Sequence, residues 1–126
     1  MKKNKILLIL TGGTFGMKEG LSSSVLGPGT VDGDYILKAV PEVKQLADIE
    51  WISICNLDSS DISWAHWENI GKTIQDNYTK YDGFVVIHGT DTMSYSATAL
   101  SFIMKGTEKP VIFTGSQRPL AKIRTD

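Results

Sequence analysis

Four short apolar runs punctuate the chain: Ile6–Leu10, Trp51–Leu57, Gly83–His88 and Pro110–Thr114. The first, third and fourth are near-continuous Ile, Val, Leu and Phe, the pattern of strands buried on both faces of a parallel sheet. Between the runs the apolar period changes to that of a helix. Trp67, Ile70, Ile74 and Tyr78 recur at spacings of three and four and share one face, with Asp61 or Ser63 placed to cap it. Met93, Ala97, Leu100 and Met104 form a second stripe, which Gly106 stops before Pro110 enters the next strand. Ile36, Leu37 and Val40 predict a short helix ended by Pro41. Strand and helix therefore alternate, which predicts an α/β domain with a doubly wound, mostly parallel sheet of flavodoxin- or Rossmann-like order.

Two segments stand outside this alternation. Phe15–Thr30 is a long irregular stretch with Gly16, Gly20, Gly27, Pro28 and Gly29. A loop of that length after a buried strand is usually functional. Pro119–Asp126 is polar and follows the fourth strand, which would be left as an open sheet edge. The expectation is that more polypeptide covers it.

Composition narrows the classes. The 126 residues match one domain, and 41% hydrophobic content is enough for a core. With 13 Lys and Arg against 14 Asp and Glu, nothing in the charge favours nucleic acid or an anionic membrane as partner. The single cysteine, Cys55, excludes a disulfide framework within this sequence and reads as a small buried residue. Lys2, Lys3 and Lys5 resemble the basic start of a secretory leader, but the apolar run that follows is broken at Thr11-Gly12-Gly13. Leaders need roughly 7–15 apolar residues and a membrane span about 20, so the expectation is a soluble, cytoplasmic protein.

In an open parallel sheet, ligands bind outside the carboxyl ends of the strands. The four strands are followed by Thr11-Gly12-Gly13-Thr14, Asp58-Ser59-Ser60-Asp61, His88-Gly89-Thr90-Asp91-Thr92-Met93 and Thr114-Gly115-Ser116-Gln117-Arg118-Pro119. Parallel strands would gather all four at one edge, a polar pocket of hydroxyls, carboxylates and glycines suited to a small hydrogen-bonding ligand. Glycine beside Thr14 would let backbone N–H groups approach a ligand, and a threonine there could act as a nucleophile beside its own oxyanion donors. A plain tight turn is the simpler reading of Gly-Gly taken alone. The spacing is neither that of a phosphate loop nor that of a dinucleotide fingerprint. Asp91 at a helix start serves equally as a cap, and Asp58 and Asp61 as turn residues. His66 and His88 are the only histidines, too few for a zinc site with one cysteine. His88 reads as a structural neighbour of the pocket, and His66 as solvent-facing. Trp51, Trp64 and Trp67 read as packing residues.

Taken as a set, Thr11-Gly12-Gly13-Thr14, Asp58-Ser59-Ser60-Asp61, the run Tyr81–Met93 and Thr114-Gly115-Ser116-Gln117 resemble the asparaginase/glutaminase family, in its order and spacing, from Lys5 to Asp126. The basic start and the Gly115–Pro119 segment resemble its cytoplasmic type I branch. The resemblance implies an amidohydrolase that converts L-asparagine to L-aspartate and ammonia without metal or organic cofactor. It implies Thr14 as nucleophile, Thr90 and Asp91 as members of a Thr-Lys-Asp relay, Asp91 also on the substrate α-amino group, and Ser59 with Ser60 on the α-carboxylate. It further implies a homo-oligomer, dimer or tetramer, in the full-length form.

The chain departs from the family in three ways. The relay lysine of the family lies downstream, and Lys122 is too early to be it. Many members carry a tyrosine in the loop after the first motif, whereas Phe15–Thr30 has none. Members are more than twice this length. Residues 1–126 are therefore expected to be an incomplete N-terminal domain, lacking the rest of that domain and the C-terminal one. The alternatives are a non-catalytic fragment that binds amino acid or full-length subunits, and a glutaminase-asparaginase.

Overall fold

The computed structural model describes residues 2–13 and 33–118. In chain order these form strand β1 (Asn4–Gly12), helices α1 (Gly33–Ala39) and α2 (Val43–Leu46), strand β2 (Ala47–Leu57), a 3-10 turn (Ser59–Asp61), helix α3 (Trp64–Asn77), strand β3 (Gly83–Ile87), helix α4 (Met93–Ile103) and strand β4 (Val111–Thr114). The strands make one sheet in the order β2-β1-β3-β4, and all three pairings are parallel. This is the doubly wound arrangement expected from the hydrophobic pattern.

The two faces of β1 carry two cores, because side chains alternate along a strand. Leu7 and Ile9 pack with Ile70 and Ile74 of α3, Leu100 of α4, and Tyr81, Phe84 and Val86. Leu8 and Leu10 face the other way, against Ile36 and Leu37 of α1 and Ile87 of β3. The Trp67–Ile70–Ile74–Tyr78 stripe is thus the inner face of α3, with Ile70 and Ile74 fully buried. Ser63 is the cap residue of α3, and its N–H donates to His66 Nδ1 at 3.0 Å. His66 is accordingly half-buried and part of the cap rather than turned to solvent.

Polar contacts fix the amino end of the sheet. Lys5 N–H donates to Asp82 Oδ2 at 2.8 Å and Asp82 N–H to Lys5 O at 2.7 Å, which locks the start of β1 to that of β3. Lys109 Nζ donates to the carbonyls of Tyr78 and Tyr81 beyond the end of α3. Tyr81 donates its hydroxyl to Glu50 of β2, and that carboxylate pushes the phenol up to about 12.

Several strand boundaries differ from expectation: β1 extends beyond Ile6–Leu10 to Asn4–Gly12, and β4 begins at Val111 rather than Pro110. The second strand begins four positions before Trp51, at Ala47. The third ends at Ile87, leaving His88 to the turn, and α2 has no counterpart in the apolar pattern. At the far edge, among the described residues, β4 pairs only with β3, and Ile112 is 55% exposed.

Candidate functional site

The strand order has a switch point. From β1 the chain crosses to β2 on one side, and from β2 it returns to β3 on the other. Crevices for ligands open where this happens, outside the carboxyl ends of the central strands, here β1 and β3. Glycines bring the turns together at that place. Gly12 and Gly13 have φ of 116° and 84°, a region that side chains strain to enter. A Cβ on Gly12 would lie 2.3 Å from Leu57 O, and one on Gly13 2.7 Å from Gly89 Cα. A Cβ on Gly89 would in turn lie 2.7 Å from Ser59 Cβ and 2.8 Å from Ser59 Oγ. On Gly115 it would lie within 2.1 Å of His88 O and 3.5 Å from Thr90 Cγ2. The turns after all four strands therefore rest on one another through positions that only glycine can occupy.

The register explains why the β2 turn arrives here. Leu10 pairs with Ser53, yet Gly12 pairs with Leu57, so β2 spends two extra residues alongside the end of β1. That irregularity carries the Asp58–Asp61 segment towards Gly89. Thr92 Oγ1 then donates to Ser59 O at 2.7 Å, which ties the second turn to the third. Beneath the crevice, Thr11 is buried and its hydroxyl donates to Ile87 O at 2.9 Å. Cys55 Sγ donates to Thr11 O at 3.3 Å, and partial burial pushes its thiol up from its ordinary value. The cysteine is half-buried on the edge strand and belongs to neither core cluster, which corrects its reading as a buried residue.

Each proposed site residue has a distinct setting. Ser59 is buried, 4% exposed, with its hydroxyl beside Gly89. Ser60 is exposed, and both its N–H and its Oγ donate to Asp58 Oδ1, at 2.9 and 2.7 Å. Those bonds hold the Asp58 carboxyl below its ordinary value and make Asp58 the cap of the 3-10 turn, one of the structural roles open to it. Thr90 is half-buried and Asp91 exposed at the mouth of the crevice. Asp91 does not cap α4; the cap position is Thr92. Thr14 and the Phe15–Thr30 loop lie outside the described residues, as do Lys122 and the Pro119–Asp126 segment. The exposed Asp91 carboxylate and the hydroxyls of Ser59 and Thr90 are chemically suited to a small zwitterion.

One buried polar chain has no signature in the hydrophobic pattern. Trp67 Nε1–H donates to Ser96 Oγ at 2.8 Å, Ser96 Oγ lies 2.8 Å from His88 Nε2, and His88 Nδ1 lies 2.7 Å from Gly89 O. His88 is 1% exposed, and burial holds its pKa below the ordinary 6.5. Its reading as a structural neighbour of the pocket agrees with this placement. The one signal in the sequence is Ser96 itself, a polar residue one position from Ala97 in the apolar stripe of α4. Among the described residues, no group of three or more His, Cys, Asp or Glu is placed to hold a metal ion. Nor is any helix among them long and apolar enough to cross a membrane.

Fold and site together define an open parallel α/β domain with a glycine-lined, hydroxyl-rich crevice at its switch point. The chain belongs to the asparaginase family: the model of that family's N-terminal domain (Asparaginase, N-terminal) matches residues 5–126. It is similar to L-asparaginase 1 of Escherichia coli K12, at 40% identity over 129 residues, covering 100% of this chain and 38% of that protein. It is also similar to the L-asparaginase of Thermococcus kodakarensis, at 35% identity over 129 residues, covering 97% of this chain and 37% of the relative. Among solved structures, L-asparaginase I from Vibrio cholerae superposes with a TM-score of 0.83 at 42% identity, covering 98% of this chain and 37% of that one. The type I resemblance and the α/β fold are thereby established, and the chain spans about two-fifths of the length of the asparaginases it matches.

Proposed function

We propose that this chain carries the nucleophile and much of the substrate-binding surface for hydrolysis of L-asparagine to L-aspartate and ammonia. In this reading the Thr14 hydroxyl attacks the side-chain amide carbon and expels ammonia, and water then cleaves the resulting ester. Thr90 and Asp91 belong to the proton relay, Asp91 also holds the α-amino group, and Ser59 with Ser60 holds the α-carboxylate. The observation that carries the reading is the convergence of Gly13, Gly89 and Ser59, which sets the turns after β1, β2 and β3 against one another at the switch point. In the sequence, Thr14 is the residue after Gly13. The buried hydroxyl of Ser59 supports a carboxylate contact better than Ser60, whose hydroxyl is already donated to Asp58.

The reading includes an incomplete catalytic apparatus. Residues 1–126 are taken as part of an N-terminal domain, with the relay lysine and a neighbouring subunit's residues supplied by sequence outside it. Homo-oligomers and cytoplasmic residence belong to the full-length form. A single cysteine is in keeping with a reducing compartment. A second reading is a fragment that binds amino acid or full-length subunits without turnover. A preference for glutamine is the nearer variant, since one methylene is worth only about 1–3 kcal/mol of discrimination.

Calorimetry with L-aspartate, paired with an ammonia assay on L-asparagine, tests these readings. The expected result is L-aspartate binding that Asp91→Ala abolishes, and no ammonia from the isolated chain. A folded chain that ignores L-aspartate overturns the substrate assignment. Ammonia release that disappears in Thr14→Ala would show instead that the catalytic apparatus is complete within these residues. Tighter binding of L-glutamate than of L-aspartate would point to the glutaminase variant.

A further inference from the structure

The Trp67–Ser96–His88–Gly89 chain has only one consistent arrangement of protons, and it ends on the backbone of the proposed site. An indole N–H can only donate and a carbonyl oxygen can only accept. At one end, Trp67 therefore donates to Ser96 Oγ. At the other, Gly89 O accepts from His88 Nδ1, because an unprotonated Nδ1 would set two lone pairs against each other at 2.7 Å. The neutral ring then has a bare Nε2, and it accepts the Ser96 hydroxyl proton at 2.8 Å. A cationic ring would make Ser96 Oγ accept twice in a fully buried site, where charge is disfavoured anyway. No buried side-chain polar atom among the described residues is left without a partner, so the chain is closed.

The geometry points to His88, oriented by Ser96 and Trp67, as a positioning residue that holds the Gly89–Asp91 turn in its working conformation. The peptide between Gly89 and Thr90 is planar and trans, so fixing the Gly89 carbonyl on the buried ring turns the Thr90 N–H the opposite way. Two further contacts hold the ring's own backbone: His88 N–H donates to Thr114 O at 2.9 Å, and Gly115 sits against His88 O. Helices α3 and α4 thus reach the crevice through one imidazole. What the turn is used for rests on the function proposed above; the positioning itself does not.

The test is heteronuclear NMR on the chain. In the wild type, imidazole nitrogen shifts should show His88 as the Nδ1–H tautomer, and the amides of Gly89, Thr90 and Asp91 should have order parameters near 0.85, the rigid value. In Ser96→Ala those three should fall towards about 0.6 while Val85 and Val86 keep theirs. His88→Asn, whose side-chain amide can replace the Nδ1–H donor, should restore part of the order that His88→Ala loses. L-Aspartate affinity should weaken about tenfold in Ser96→Ala, the size of one lost net hydrogen bond. An Nε2–H tautomer in the wild type overturns the inference even if no variant folds. So does a loss of order spread equally over β3 and the turn. A wild type that has the Nδ1–H tautomer and a rigid turn but does not bind L-aspartate refutes the proposed function and leaves the positioning role standing.

Discussion

Strands β1 and β2 run side by side in register over Asn4–Leu10, yet they are made differently. Between Leu7 and Gly12 every residue of β1 is buried, whereas Glu50–Ser53 of β2 are exposed and the rest of that strand is at most half-buried. β1 has a strand on each side and a helical layer on each face. Among the described residues β2 has a strand on one side only, and it tolerates Asp48 and Glu50 along its length. This sheet is thus stabilised from its centre outward, and its edge strand serves chiefly to deliver a turn. The two extra residues between Ser53 and Leu57, which bring Ser59 under Gly89, would disrupt an inner strand paired on both sides.

The largest test of that contrast is a matched pair of truncations. Ile9→Ala, at a side chain with no exposed surface, should cost about 3–4 kcal/mol in urea unfolding. Ile52→Ala, 39% exposed on the edge strand, should cost less than about 1 kcal/mol. Equal losses would break the centre-outward picture. A second pair compares two glycines with left-handed backbones. Gly12→Ala meets Leu57 O at 2.3 Å and should cost about 2–3 kcal/mol, since both strain and a backbone clash oppose it. Gly106→Ala, at φ 89° with nothing within 4 Å, should cost only about 1 kcal/mol, the strain alone. If the two unfold alike, the packing of the turns at the crevice is looser than the contacts imply.

The same contrast governs what could be read from the sequence. β1 and β3 announce themselves as unbroken apolar runs because both their faces are covered. The first part of β2 does not, since Asp48 and Glu50 alternate with Ile49 and Trp51, and a search for apolar runs starts the strand late. The grouping of the four post-strand turns follows from parallel order alone, so the crevice was legible. Its internal contacts were not: that Gly13, Gly89 and Gly115 lie against backbone or side chain, and that Ser60 is committed to Asp58, depends on register and on spacing across strands. The hydrogen bonds of His88 were invisible for a similar reason. Ser96 and Trp67 come from two helices and meet only after α3 and α4 have packed on one face of the sheet.

The smallest expected effect is a slope with pH, and it separates the centre from the edge once more. His88, in the turn just past the central strand β3, has its pKa lowered by burial from an ordinary 6.5. The unfolded chain therefore takes up a proton from about pH 6.5 downward while the folded chain does not. Stability from this group is fully present above 6.5 and is lost as pH falls through the lower, folded value; one proton limits the slope to about 1.4 kcal/mol per pH unit. Tyr81, bonded to Glu50 on the edge strand, has the opposite sign: its phenol is raised from 10.0 to about 12, so its contribution is intact below 10 and is lost as pH rises through 12. Urea midpoints measured at half-unit steps should fall on both sides. His88→Asn should flatten the limb below pH 6.5, and Tyr81→Phe the limb above 10. Asp58 is lowered as well, but it is solvated and acts only below its ordinary 3.8, outside the histidine window. If the acid limb persists unchanged in His88→Asn, the ring is not held neutral by the core, and the central strand is less sealed at its carboxyl end than at Ile9.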